Sequence, residues 1–304
     1  MGAGAVGGYF GAKLARAGNE VWFISRRDRL KAFRTTGVRV ESIEGDFEIV
    51  PVRAIRDPSS VGKVDLVLFT VKSTGTKKAA EEAAPLVGPH TTVLSIQNGV
   101  DNESVLEEVL GIDRIVPGVA VIGVSMPEPG LIRHTNNGSI TLGEVTGEGS
   151  KRVTDICQAF ADADVATRVS TDIRSVKWRK LIWNASFNPI TALTGRRVLD
   201  LIEDDDALSL AEAAMREAIA VGKALGYDVG DYQIERATKR DPNWAHSKTS
   251  MLQDIERGNP TEIDALTGAV VRGGEETGVP TPVCSTILRL VRAKERAVTD
   301  PHEH

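Results

Sequence analysis

An α/β fold with a Rossmann-type doubly wound sheet, its first strand missing, followed by an all-helical C-terminal domain, is what this 304-residue sequence predicts. Three observations predict it. The chain opens on the glycine pattern Gly2-Ala3-Gly4-Ala5-Val6-Gly7, its first half alternates short apolar runs with helical stretches, and from Asp172 onward the periodicity is almost wholly helical. The boundary follows as domains 1–170 and 171–304.

Each element has its own signal. Gly7 to Arg16 reads as a helix stopped by Gly18, and Glu20 to Ser25 as the next strand. Asp65 to Val71 is a short apolar run suited to a buried parallel strand, followed by a helix from about Gly75 to Leu86, a strand over Thr91 to Ile96 and a helix over Asn102 to Leu110. Ile115 to Val124 is a further apolar segment. Gly130 to Thr135 and Ser139 to Gly143 read as a hairpin around Asn136-Asn137-Gly138. A helix from Lys151 to Ala163 and a strand from Val165 to Val169 close the first domain. Helices are then expected over Asp172 to Thr194, Ala207 to Leu225, Asp231 to Lys239, Ser250 to Arg257, Glu262 to Thr277 and Pro282 to Thr299, with Thr299 to His304 as a frayed tail.

The glycines carry chemistry as well as geometry. In such a unit the first glycine allows the strand-to-helix turn, the second lets the backbone approach a pyrophosphate, and the third lets the helix pack close to the sheet. The anion then rests on the helix N-terminus, where free N–H groups and the peptide dipoles favour negative charge. Gly2, Gly4, Ala5, Val6 and Gly7 are therefore the cofactor loop. An NAD site usually offers a carboxylate at the end of the following strand, whereas this one ends Ser25-Arg26-Arg27. The sequence thus favours NADP(H), with Arg26 as the contact. Only Met1 precedes Gly2, leaving no room for a central first strand; a start placed at an internal methionine and a genuinely shortened protein are the two readings of that gap.

Composition narrows the class. A formal charge of −5 without basic runs argues against nucleic acid as a partner, and no stretch of about 18 apolar residues suggests a membrane span. The two cysteines, Cys157 and Cys284, have no metal-type spacing, so no metal site is expected and a reducing cytoplasm suits them. A homodimer is compatible with the sequence but not required by it.

In the helix after residue 172, Lys180, Asn184 and Asn188 stand at i, i+4 and i+8 and share one face. A stripe facing a cleft between the domains and a stripe facing solvent both satisfy that spacing. The glycine start, Val71-Lys72, Ile96-Gln97-Asn98-Gly99, Trp178-Arg179-Lys180-Leu181 through Asn184 and Asn188-Pro189, and Ser250-Met251-Leu252-Gln253-Asp254 with Thr261-Glu262-Ile263-Asp264 together resemble the ketopantoate reductase (2-dehydropantoate 2-reductase) family, in order over nearly the whole chain.

The resemblance implies a set of roles. Lys180 would be the proton donor to a substrate ketone, with Asn98, Asn184, Asn188 and Ser250 as substrate ligands. Lys72, Asn98, Gly123 and Glu262 would join the loop and Arg26 around NADP(H). Ordinary structural alternatives stand beside several of these: a turn residue for Asn98, a strand-end lysine for Lys72, a helix N-cap for Ser250 and a first-turn glutamate for Glu262. One departure concerns the substrate, since some members supply a further asparagine where this chain has Arg196-Arg197-Val198. The implied activity is NADPH-dependent reduction of ketopantoate to pantoate in pantothenate synthesis. Reduction of another small 2-keto acid and a non-catalytic NADP(H) sensor are the alternatives.

Overall fold

The computed structural model describes residues 1–239 and 248–299. Most of the expected C-terminal tail, residues 300–304, lies outside them. Contacts divide the chain into two compact units, one of residues 1–97 and 102–173, the other of residues 98–101 and 174 onward.

In the first unit, the chain enters α1 (Ala5–Arg16) directly from the glycine turn. Its alanines favour the helix, Lys13 and Arg16 lie in the last turn where cations suit the dipole, and Gly18 at φ +90° ends it. There follow β1 (Trp22–Ile24), α2 (Arg27–Thr35), β2 (Val38–Ser42), β3 (Phe47–Ile49), β4 (Arg53–Ile55), β5 (Leu66–Phe69), α3 (Thr76–Ala83), β6 (Thr92–Ser95), α4 (Asn102–Leu110), β7 (Ile115–Glu128), β8 (Leu131–Leu142), α5 (Lys151–Asp162) and β9 (Thr167–Val169). β5, β6 and β7 are parallel, as buried runs such as Leu66–Phe69 suggest, whereas β7 and β8 form a long antiparallel pair. The larger sheet runs β3-β2-β8-β7-β6-β5, with β9 beside β8.

The place reserved for a first strand is where the sheet divides. β1 pairs only with β4, in a separate two-stranded parallel ribbon. Residues 1–3 bridge it to β5: the Met1 nitrogen donates to Leu68 O at 2.8 Å, Thr70 N to Met1 O at 3.0 Å and Ala3 N to Ile24 O at 3.2 Å. α1 packs closely on this layer. A Cβ on Gly8 would come 2.6 Å from Ile132 and one on Gly11 2.7 Å from Phe23. Phe10, Leu94, Val116, Ile140 and Phe160 fill the core beneath.

One expectation about this unit is corrected. The turn of the β7–β8 hairpin is at Pro129-Gly130, with Gly130 at φ +90°, not at Asn136-Asn137-Gly138. Those three residues lie inside β8, where the register shifts and Asn137 and Gly138 take φ +52° and +133°; the turn-forming residues there build a bulge. The short strands β2 to β4 are an addition to the sequence reading.

The second unit is helical: α6 (Ile173–Thr194), α7 (Val198–Ile202), α8 (Asp205–Ala224), α9 (Tyr232–Ala237), α10 (Ser250–Glu256), α11 (Thr267–Thr277) and α12 (Pro282–Thr299). α6 is its buried axis, with Trp178, Leu181, Ile182, Ala185, Phe187 and Ile190 all at most 2% exposed, so apolar residues on several faces are what a surrounded helix requires. Pro189 has no N–H to give the carbonyl four residues back. The hydroxyl of Thr267, fully buried at the start of α11, donates to that carbonyl, Ala185 O, at 2.9 Å. α12 is capped from another helix: both carboxylate oxygens of Glu217 accept N–H groups, from Val283 and Cys284, at 2.8 Å. Glu262 is not a first-turn glutamate, because α11 begins five residues later, at Thr267. Among the described residues no helix is long and apolar enough to cross a membrane.

Candidate active site

The long-range feature of the second unit is a half-buried polar chain. Lys180 Nζ, on α6, donates to Asn98 Oδ1 at 2.8 Å, and Asn98 Nδ2 donates to Glu262 Oε2 at 3.2 Å. Asn98 heads residues 98–101, which turn sharply through Gly99 at φ +93° and pack with the helical unit; Val100 joins its core and Asp101 pairs with Arg272. The Asn98 amide is fixed in sense by its neighbours, oxygen toward the cation and NH2 toward the anion.

The Lys180 side chain is half-buried, and burial is the largest influence on it, moving its pKa down from 10.5 to about 8. Glu262 opposes that shift, and Lys177, one turn earlier on α6 and itself 6% exposed, adds to it. Farther along the same face stand Asn184 and Asn188, 6% and 3% exposed. Asn188 Oδ1 is buried with no hydrogen-bond partner, an acceptor that a ligand's hydroxyl or N–H would satisfy. The stripe is therefore turned inward, which spacing alone left open.

Ser250 opens α10, but the cap belongs to its neighbour. Thr249 Oγ1 accepts from Leu252 N at 3.2 Å and lies 2.6 Å from Thr191 Oγ1, which in turn donates to Asn188 O. The Ser250 hydroxyl, relieved of capping, is exposed beside the last turns of α6. At Arg196-Arg197-Val198, Val198 is 2% exposed in the core and Arg196 is held by Asp204 and by Asp200 O.

The glycine loop has the shape a pyrophosphate needs. A Cβ on Gly2 would come 2.7 Å from Val71 N, and one on Gly7 2.2 Å from Thr70 Oγ1, so those glycines serve the turn and the helix packing. Gly4 is different: its nearest neighbours would be the end of the Arg29 side chain at 3.3 Å and Gly2 O at 3.8 Å. No side chain caps α1 at Gly4, leaving first-turn N–H groups for an anion. The residues present thus fit a dinucleotide. Around them, Arg26 is ion-paired with Glu82, Lys72 leads the turn after β5, and the bareness of Gly123 is explained by crowding, since its Cβ would lie 2.9 Å from Asn136. The sequence reading did not single out Lys177, three residues before Lys180, whose charge bears on that lysine.

A glycine-loop α/β unit joined to a helical unit that carries a lysine–amide–carboxylate chain defines the class, an oxidoreductase. The comparisons give the family. Residues 1–147 match the model described as ketopantoate reductase PanE/ApbA and residues 172–295 the model of its C-terminal part, so the chain belongs to the ketopantoate reductase family. It is 37% identical to a 2-dehydropantoate 2-reductase of Mesorhizobium japonicum over 96% of this chain and 95% of that one. Among solved structures, a PanE/ApbA family ketopantoate reductase from Ralstonia eutropha superposes with a TM-score of 0.91 at 34% identity, covering 98% of each chain. D-mandelate dehydrogenase, solved with NADH and anilino(oxo)acetate, shares the fold at a TM-score of 0.90 and 24% identity over 98% of this chain and 97% of that one.

Proposed function

We propose that this protein reduces 2-dehydropantoate (ketopantoate) to pantoate with NADPH, as a cytoplasmic enzyme of pantothenate synthesis, and that Lys180 donates the proton. The observation that carries the reading is the Lys180–Asn98–Glu262 chain, on a helix face shared with Asn184 and Asn188. The glycine loop with Arg26 and Lys72 would hold the dinucleotide, whose nicotinamide would supply the hydride. Lys180 holds its proton at Nζ, polarises the ketone oxygen and releases that proton to it as negative charge develops there. Glu262 keeps the lysine charged through the field of its carboxylate, and Asn98 transmits orientation without competing for the proton. Asn188 and Asn184 would take the substrate's polar groups, and the Ser250 hydroxyl its carboxylate.

The alternative substrate is another small branched 2-keto acid, such as 2-ketoisovalerate. Steady-state loss of NADPH absorbance with ketopantoate and with 2-ketoisovalerate tests both. Higher kcat/KM for ketopantoate is expected. A preference for 2-ketoisovalerate moves the assignment to that keto acid, and dinucleotide binding with no turnover of either would make the protein a sensor.

A further inference from the structure

Asn188 stands where the hydrogen-bond ladder of α6 is interrupted, because Pro189 follows it and offers no N–H. Hydroxyls take up what the backbone lets go. Thr267 donates to Ala185 O, and Thr191, one turn beyond Asn188 on the same face of α6, donates to Asn188 O at 2.8 Å. A hydroxyl has one proton, and that of Thr191 goes to the carbonyl, so in the 2.6 Å contact between Thr191 and Thr249 it is Thr249 that donates. Thr249 Oγ1 in turn accepts from Leu252 N at 3.2 Å, as the N-cap of α10. The result is a relay with a single direction, from Leu252 N through Thr249 and Thr191 to Asn188 O, in which every proton is committed. Thr191 is wholly buried and Thr249 6% exposed, so water does not compete for these bonds.

The relay ends beside two groups of the candidate site. Ser250 is the residue after the cap, and Asn188, whose carbonyl receives the last bond, is 3% exposed and carries the unpartnered Oδ1. α10 is seven residues long, too short to hold itself as a helix in water, so its first turn depends on that cap. We propose that Thr191 and Thr249 are positioning residues for the 2-keto acid: their paired hydroxyls fix the Ser250 hydroxyl relative to the Asn188 amide, and so set how tightly the substrate is held, without taking part in proton or hydride transfer. This rests on the proposed reduction and on Asn188 and Ser250 as its substrate ligands. A methyl in place of either hydroxyl fills the same space and cannot do the same work. In Thr191→Val the Thr249 proton loses its acceptor and Asn188 O loses a donor in a buried setting, and nothing polar then ties α10 to α6 at this point. A ligand that must reach both groups at once registers a shift of either one. Lys180, about two turns earlier on α6 and bonded to Asn98, keeps its place.

Steady-state kinetics with ketopantoate and NADPH, beside equilibrium titration of NADPH, tests this on the parent, Thr191→Val, Thr191→Ser, Thr249→Val and the double valine variant. Thr191→Val should raise KM for ketopantoate about 10-fold, the range for one hydrogen bond to a charged group, while kcat and NADPH affinity change by less than about twofold. Thr191→Ser keeps the hydroxyl and should bring KM back to within about threefold of the parent. Because both substitutions break one relay, the double variant should raise KM little beyond Thr249→Val alone. A fall in kcat with KM unchanged would overturn the proposal, as would a KM that Thr191→Ser does not restore, or effects that multiply in the double variant. Should Thr191→Val not fold, Thr249→Val carries the same expectation, and parent-like KM in that variant overturns the proposal. A parent that reduces neither ketopantoate nor 2-ketoisovalerate would remove the proposed reduction and this proposal together. A parent that reduces ketopantoate while Thr191→Val keeps the parent KM would remove this proposal alone.

Discussion

Lys180 is asked to be charged in a place that disfavours charge, and its pH behaviour follows. With its pKa brought from 10.5 to about 8, the proton-bearing form disappears as pH rises through about 8. We expect kcat/KM for ketone reduction to be flat below that value and to fall about tenfold per pH unit above it. Glu262→Gln removes the opposing carboxylate and should move this limb to lower pH, whereas Lys177→Met should move it higher; pH–rate profiles of the three proteins check both signs. Stability runs the other way. Between about 8 and 10.5 the unfolded lysine keeps a proton that the folded one has lost, so this group's contribution to stability rises with pH across that window. Lys180→Ala should lower turnover by about 10²–10⁴ while leaving NADPH affinity nearly unchanged in equilibrium titration. The lysine and two asparagines were legible because a helix repeats every 3.6 residues. Adjacent Thr249 and Ser250 were not separable, since either caps a helix well and only contact with Thr191 decides between them.

Elements show the same division between local and distant causes. The glycine pattern predicts a turn, yet only neighbours say which glycine faces open space. Gly7→Ala should destabilise the fold by about 1–3 kcal/mol through overpacking against Thr70, whereas Gly4→Ala should leave denaturant stability nearly unchanged and weaken the dinucleotide. Thr267→Val should cost about 1–3 kcal/mol in urea unfolding, because the Ala185 carbonyl freed by Pro189 is then buried unpaired, and Thr267→Ser should restore most of it. Helices of ten or more residues were readable. Strands of three residues such as β3 and β4 carry too little pattern, and Asn136-Asn137-Gly138 misled because a bulge and a hairpin turn both require residues tolerant of positive φ.

At the level of the whole chain, contacts gather residues 1–97 and 102–173 into one compact unit and the rest into another. Sequence could not show that residues 98–101 pack with the second, because that depends on Val100 and Asp101 meeting residues far along the chain. The sheet parts beside β1. That parting gives the adenosine end of the proposed cofactor site an unusual support. Ser25 and the arginines after it extend from a ribbon whose β1–β4 ladder is three residue pairs long, with Ala3 N bonded to Ile24 O besides. Two strands alone are marginal in water, so the amides of residues 22–25 and 53–55 should be among the quickest in the first unit to take up deuterium. Saturating dinucleotide should slow that uptake sharply. Some of the free energy of association then goes into quieting these strands, and a change that stiffened the ribbon would tighten binding without touching the ligand.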